Sequence, residues 1–351
     1  MAGLAGCGYQ PGPGDVAWET DLRLFHATGD AYLVSNGTSA AICLDARFMV
    51  RSAGVPQVVT GIRTAMVTAD GSVRWQSGVD SSVALPPALT DDAVLVVDTD
   101  GRLTSFDRRE GSAAEPIPLP GEPTGLAADG RTALVSTDEG LVAFDEHGAE
   151  QWSTERSSGA VAAADELVVA GETDGELVGR EPTSGTERWR VADAAVDRPR
   201  MAVSDEYVYA ASGVADGRLV ALDRETGERD WVVEGIGAGH PLAVGGDLVL
   251  VSSARTVGAY DRETGERRWE STRFGSPPAV GDEGVYGLTT DCEAFCLDPD
   301  GDVAWRSPID AEQCGRTGAR PVLLDGAVVV HAGASRVTAF RRRTGRRRSL
   351  L

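Results

Sequence analysis

Lysine is missing from this chain. All 33 basic residues are arginine, set against 54 acidic residues for a net charge of −21. A GC-rich genome would replace lysine by arginine but would not explain the acidity. The composition resembles that of proteins whose carboxylates hold hydration in concentrated salt, and its field repels phosphate, which argues against nucleic-acid binding. Asparagine is almost absent, Asn36 being the one present. Histidine is confined to His26, His147, His240 and His331, with no local Ser/His/Asp or Cys/His set around any of them. Of the five cysteines no two are adjacent. No apolar run reaches the roughly 20 residues that a membrane-spanning helix needs.

What the chain does have is a cadence. A glycine is followed four positions later by tryptophan at Gly14/Trp18, Gly71/Trp75, Gly148/Trp152, Gly185/Trp189, Gly227/Trp231, Gly265/Trp269 and Gly301/Trp305, which accounts for all 7 tryptophans. Two further copies keep the glycine and lose the ring, at Gly111/Glu115 and Gly345/Ser349. Successive tags lie roughly 40 residues apart, the mark of a repeat architecture. Before each tag run two short, alternating apolar stretches rich in β-branched and aromatic residues, which predict strands. The Asp-x-x-Thr-Gly stretches ending at Gly227 and Gly265 predict hairpin turns, Asp bonding its own backbone and Gly supplying positive φ. Each Trp then falls on the returning strand, where its ring is expected to pack between sheets rather than to hold a ligand, because its spacing follows the repeat.

Units of this kind fit four-stranded blades arranged radially. The tag resembles that of the pyrroloquinoline-quinone-like (PQQ-like) repeat family, Ala-x-Asp-x-x-Thr-Gly-x-x-x-Trp, most closely in the units ending at Trp231 and Trp269 and least in the unit of Gly111. The resemblance runs from about Gly14 to the end and implies an all-β propeller. Eight four-stranded blades is the expected count. Seven is the alternative, because the first unit carries roughly 20 extra residues around positions 47–62. The last unit stops where its fourth strand should begin, while residues 15–20 form an orphan strand at the other end. Pairing these two closes the ring without a free sheet edge. Residues 15–351 are therefore read as one propeller domain and residues 1–14 as a leader to it.

That leader contains Leu4-Ala5-Gly6-Cys7, which resembles the lipobox of lipoproteins, followed by a Pro/Gly tether. Lipidation at Cys7 is the expectation. Only three residues precede the box, with no basic or apolar export segment. The expectation therefore needs a true start upstream of Met1, and the location is then extracytoplasmic, at the cell surface and held by the lipid anchor alone; otherwise the protein is cytoplasmic. Cys43 and Cys296 align with the small slot of Ala143, Ala221 and Ala259 and are read as core thiols. Cys292 and Cys314, in loops of one region, form a candidate disulfide. Zinc at Cys292, Cys296 and Cys314 is the weaker alternative.

The family name invites a quinoprotein dehydrogenase using PQQ and calcium. The adjacent cysteine pair and the amide ligands which that activity implies have no counterpart here, and no unit is enlarged into a funnel. The acidic turn at residues 298–302 has oxygens that suit Ca²⁺, but it occupies the same hairpin as Asp261 and Gly265 and is read as turn chemistry. The arginine block at residues 341–348 suggests either contact with anionic lipid or a solvated turn; in molar salt, with a screening length of about 3 Å, the second reading is preferred. His26 and His240 fall at matching places ahead of a strand, near the expected axial channel. No catalytic residue, cofactor or metal site is nominated. The remaining reading is a monomeric, non-catalytic scaffold whose loops dock a protein or peptide, strand addition being one mode. In plan it resembles the lipid-tethered propeller of the outer-membrane β-barrel assembly machinery.

Overall fold

The structure, a computed structural model, describes residues 12–22, 27–52, 55–155, 158–164, 166–172, 175–192, 194, 199–213, 217–253, 256–309, 319–331, 333 and 336–342. They form eight antiparallel sheets of four strands each, and among them there is no helix. Blades 1 to 7 comprise residues 27–79, 88–118, 123–154, 158–191, 200–234, 243–271 and 279–308, and blade 8 comprises residues 322–341 with Val16–Asp21. The innermost strands touch one another in order, from Ala27–Ser35 round to Val322–Leu324 and back to Ala27–Ser35. The ring therefore closes on eight blades, not seven.

Sequence pattern decides which strand lies where in a blade. The second and third strands are packed between neighbouring blades on both faces and are apolar up to their last residue, as in Leu248–Ser252 and Val257–Asp261. The outermost strand alternates: in Arg267–Ser271 only Trp269 and Ser271 are half-buried and the rest are exposed. Because the strands alternate in direction, the turns joining first to second and third to fourth strands share one end of the ring, the turn face. The loops joining second to third strands, and the connections between blades, share the other, the crossover face.

Closure is made by the chain's N-terminal strand. Val16–Asp21 pairs antiparallel with Arg336–Arg341, with Trp18 opposite Ala339 and Asp21 opposite Arg336. The Gly14 N–H donates to the Arg341 carbonyl at 2.9 Å and the Arg341 N–H to the Asp15 carbonyl at 2.8 Å, so two distant pieces of chain jointly build the last turn.

The extra length of the first unit builds a long hairpin rather than a loose loop. Ser39–Ser52 and Val55–Thr68 are strands of 14 residues each, paired continuously from Ser39/Thr68 to Ser52/Val55. The blade proper ends near the Ala46/Gly61 pair, where the first strand also stops pairing. Beyond it six pairs project from the crossover face, about 20 Å at roughly 3.4 Å per residue.

Candidate functional site

The tryptophan tags work between blades. Each ring lies under the turn glycine of the next blade: a Cβ on Gly71 would fall 2.7 Å from Trp18, on Gly185 2.6 Å from Trp152, on Gly227 2.8 Å from Trp189, on Gly265 2.6 Å from Trp231 and on Gly301 2.7 Å from Trp269. Gly111 covers Trp75 in the same way, and Gly14 covers Trp305. The indole N–H then donates to the carbonyl one residue into that same turn. Trp18 bonds Ala69 at 2.8 Å, Trp75 bonds Arg108 at 2.9 Å, Trp152 bonds Pro182 at 2.7 Å and Trp189 bonds Arg224 at 2.8 Å. Trp231 bonds Arg262 at 3.2 Å and Trp269 bonds Pro299 at 3.0 Å. Sequence thus pairs each glycine with the Trp that follows it, while space pairs it with the Trp one blade earlier.

Two seams depart from this rule. At the closing seam the buried Trp305 N–H has no hydrogen-bond partner among the described residues, and the buried Tyr286 ring lies 6.2 Å from the indole by centroids. In blade 5 the matching pair, Trp231 and Tyr209, shares the Arg262 carbonyl. Between blades 2 and 3 the ring itself is missing. Glu115 keeps the register position of a tag Trp but is exposed, and Ile117 reaches across to lie against Gly148. A cavity of about 260 Å³ remains there, opening on the turn face.

At the crossover face the start of the blade 6 inner strand gathers positive charge. Arg320, from blade 8, donates to the carbonyls of Leu242, at 3.2 Å, and Pro241. It is enclosed on most sides yet keeps a solvent-facing edge, and burial pulls its guanidinium down to about 10. No ion pair among the described residues involves it. His240 beside it is held below the ordinary imidazole range, first by desolvation and then by the charges of Arg320 and Arg200. His26 lies outside the described residues. His147 is exposed and His331 buried, in blades 3 and 8.

Cys43 and Cys296 are buried thiols outside any disulfide. Cys296 does fill the small slot, opposite Trp305. Cys43 does not: it lies on the second strand opposite Thr64, and the slot beside Trp75 belongs to Met66, because the long hairpin shifts the first unit's strands along the sequence. Burial drives the Cys43 thiol up to about 12, so it is inert as a nucleophile. Cys292 is disulfide-bonded; Cys314 and Cys7 lie outside the described residues, as does the arginine block beyond Arg342. The Asp298 carboxylate accepts the N–H groups of Asp300 and Asp302 at 3.1 and 2.9 Å, the turn role that Asp261 plays for Glu263 and Thr264. Asn36 likewise accepts the N–H groups of Thr38 and Ser39, capping the first turn of blade 1. Among the described residues no three His, Cys, Asp or Glu gather as a metal site, and no helix is long and apolar enough to cross a membrane.

Eight blades, stapled ring-to-turn by a Gly-x-x-x-Trp tag, define a PQQ-like repeat β-propeller. The chain belongs to the family described as outer membrane protein assembly factor BamB, whose model matches residues 8–114, 120–271 and 253–348. Among solved structures it is similar to BamB from Moraxella catarrhalis, at 19% identity and a TM-score of 0.67 over 95% of this chain and 99% of that one. The computationally designed Ika8 protein matches at 16% identity and a TM-score of 0.66, over 92% and 98% of the two chains. The C-terminal WD40 domain of Sif2 matches at 12% and 0.63, over 93% and 99%. These likenesses show the fold. No curated protein sequence matches the chain.

Proposed function

We propose that this protein is a non-catalytic scaffold that docks a protein partner through the hairpin projecting from blade 1, and that a lipid on Cys7 holds it at the outer surface of a membrane. The hairpin carries the reading. Its six outer pairs extend beyond the reach of the first and fourth strands, and a two-stranded ribbon leaves unpaired N–H and C=O groups along both edges. Such edges accept a further strand from a partner, with main-chain hydrogen bonds for affinity and side-chain pockets for selectivity. The sequence of the tip includes Phe48, Met49, Val50, Val58 and Val59 beside Arg47 and Arg51, apolar content that a merely solvated hairpin does not need. A family described as an assembly factor is consistent with protein partners.

The disulfide at Cys292 supports an oxidising, extracytoplasmic location. With Cys43 and Cys296 outside any disulfide, and Cys7 assigned to lipid, Cys314 is its partner in this proposal. Gly14 lies at the outer rim on the turn face, so an anchor just upstream favours presentation of the crossover face, and the hairpin on it, away from the membrane.

Replacing residues 47–60 by an Asn-Gly turn tests the reading. The ring is expected to melt as before, while a stoichiometric partner recovered with the intact protein from native membranes is lost. Mass spectrometry of the same material should show lipid on Cys7 and a non-reduced Cys292/Cys314 peptide. A partner retained by the shortened protein refutes the docking element, and turnover of an alcohol or sugar with a dye acceptor refutes the scaffold reading altogether.

A further inference from the structure

The seam between blades 2 and 3 is a partly filled copy of a site that an indole occupies elsewhere in the ring. Where the neighbouring seams place a Trp ring under a turn glycine, this one places the Ile117 side chain there, against the position that a Cβ on Gly148 would take, and leaves an opening of about 260 Å³ beside it. Leu95, Leu103, Ala133 and Phe144, all buried, line it together with Ile117. An apolar cavity of about 150 Å³ already suffices to bind benzene. The polar half of the site is present as well. In six seams the carbonyl one residue into the turn accepts the indole N–H; here that position is Glu146, whose carbonyl accepts no hydrogen bond among the described residues.

We infer that this seam binds a free, flat aromatic molecule of indole size bearing an N–H or O–H donor, its ring in the opening beside Ile117 and its donor on the Glu146 carbonyl. The rim selects further. Asp92, Asp107, Asp145 and Glu146 line the opening against one cation, Arg131, which is bound to Asp92 at 3.2 Å and Glu146 at 2.7 Å. Neutral and cationic ligands are therefore accepted and carboxylate-bearing ones rejected. The absent ring also accounts for the sequence at position 115. Glutamate there leaves the space open in the register where the other units close it with their own side chain.

Calorimetric titration of the full chain with indole, tryptamine and indole-3-acetate tests this. Saturable binding of the first two, with the third at least tenfold weaker, is expected. Glu115→Trp, combined with Ile117→Ser to clear the space under Gly148, should fill the seam from within and abolish binding, while Glu115→Gln binds as the parent does. Ser105→Leu, a smaller intrusion at a half-buried lining position, should weaken binding at least tenfold and guards against a Trp variant that fails to fold. Absence of saturable indole binding by the parent chain, or undiminished binding by a folded Glu115→Trp/Ile117→Ser or Ser105→Leu protein, overturns the inference.

Discussion

Trp189→Phe and Trp305→Phe should have different costs, although the two residues look equivalent in sequence and burial. Trp189 is 7% exposed and Trp305 8%, and both lie under a turn glycine. Trimming either ring to phenyl removes similar apolar contact, a common loss of about 1–2 kcal/mol. The hydrogen-bond terms have opposite signs. Trp189 donates to the Arg224 carbonyl at 2.8 Å, so its loss strands a buried acceptor, costing about 1–3 kcal/mol. The Trp305 N–H is buried with no acceptor, so replacing it by carbon relieves a penalty of about 1–3 kcal/mol. Trp189→Phe is expected to destabilise by about 3 kcal/mol and Trp305→Phe by less than about 1 kcal/mol. Urea denaturation at fixed salt, followed by circular dichroism rather than by the altered tryptophan emission, reads the difference as separated midpoints with equal slopes. Coincident midpoints would refute the reasoning, since packing alone predicts them.

Gly227→Ala and Gly101→Ala share a φ of +72°, so each pays about 1 kcal/mol for the left-handed backbone. Only at Gly227 does the new methyl meet a ring, 2.8 Å from Trp189, adding about 1–3 kcal/mol of overpacking, whereas Gly101 has no atom within 4 Å. A melting comparison in which Gly101→Ala is the worse variant removes the stapling argument. Acid should expose the turn carboxylates. Burial alone raises Asp261, but the Arg268 guanidinium and the N–H and hydroxyl of Thr264 outweigh it and hold the group at about 2. With the folded value below the unfolded one of about 3.9, its stabilisation is complete above about pH 4 and is lost as the pH falls through about 2. Allowing for the exposure of Arg268, Asp261→Asn should cost about 1–2 kcal/mol at neutral pH, and the gap to the parent should shrink below pH 4 in urea titrations. A gap independent of pH contradicts the assignment.

The fold was legible because its signals are local. Gly-x-x-x-Trp and the turn aspartates depend on four or five neighbouring residues, and the unpaired strand at residues 15–20 announced its own partner by the strand the last unit lacked. What escaped the sequence depends on relations between units. The acceptor of each indole is a backbone carbonyl one blade on, which carries no residue identity and is supplied by Ala69, Arg108, Pro182, Arg224, Arg262 or Pro299 alike. Ile117 replaces a Trp from two positions further along, so a column-by-column comparison sees only the glutamate. The surplus around residues 47–62 was visible as length, but alignment to the standard unit placed Cys43 one strand too late.

Closure by Val16–Asp21 also sets an order of events in the life of the chain. Val16–Asp21 leaves the ribosome long before it can find its place, because its partner, Arg336–Arg341, is made roughly 320 residues later. Until then seven blades stand as an open arc, with the outer flank of blade 7 and the inner flank of blade 1 bare. Contacts of such long sequence separation form slowly, and exposed strand edges invite association meanwhile. Dilution, or a chaperone that shields strand edges, should therefore govern the yield of folded rings more than the stability of the finished one does.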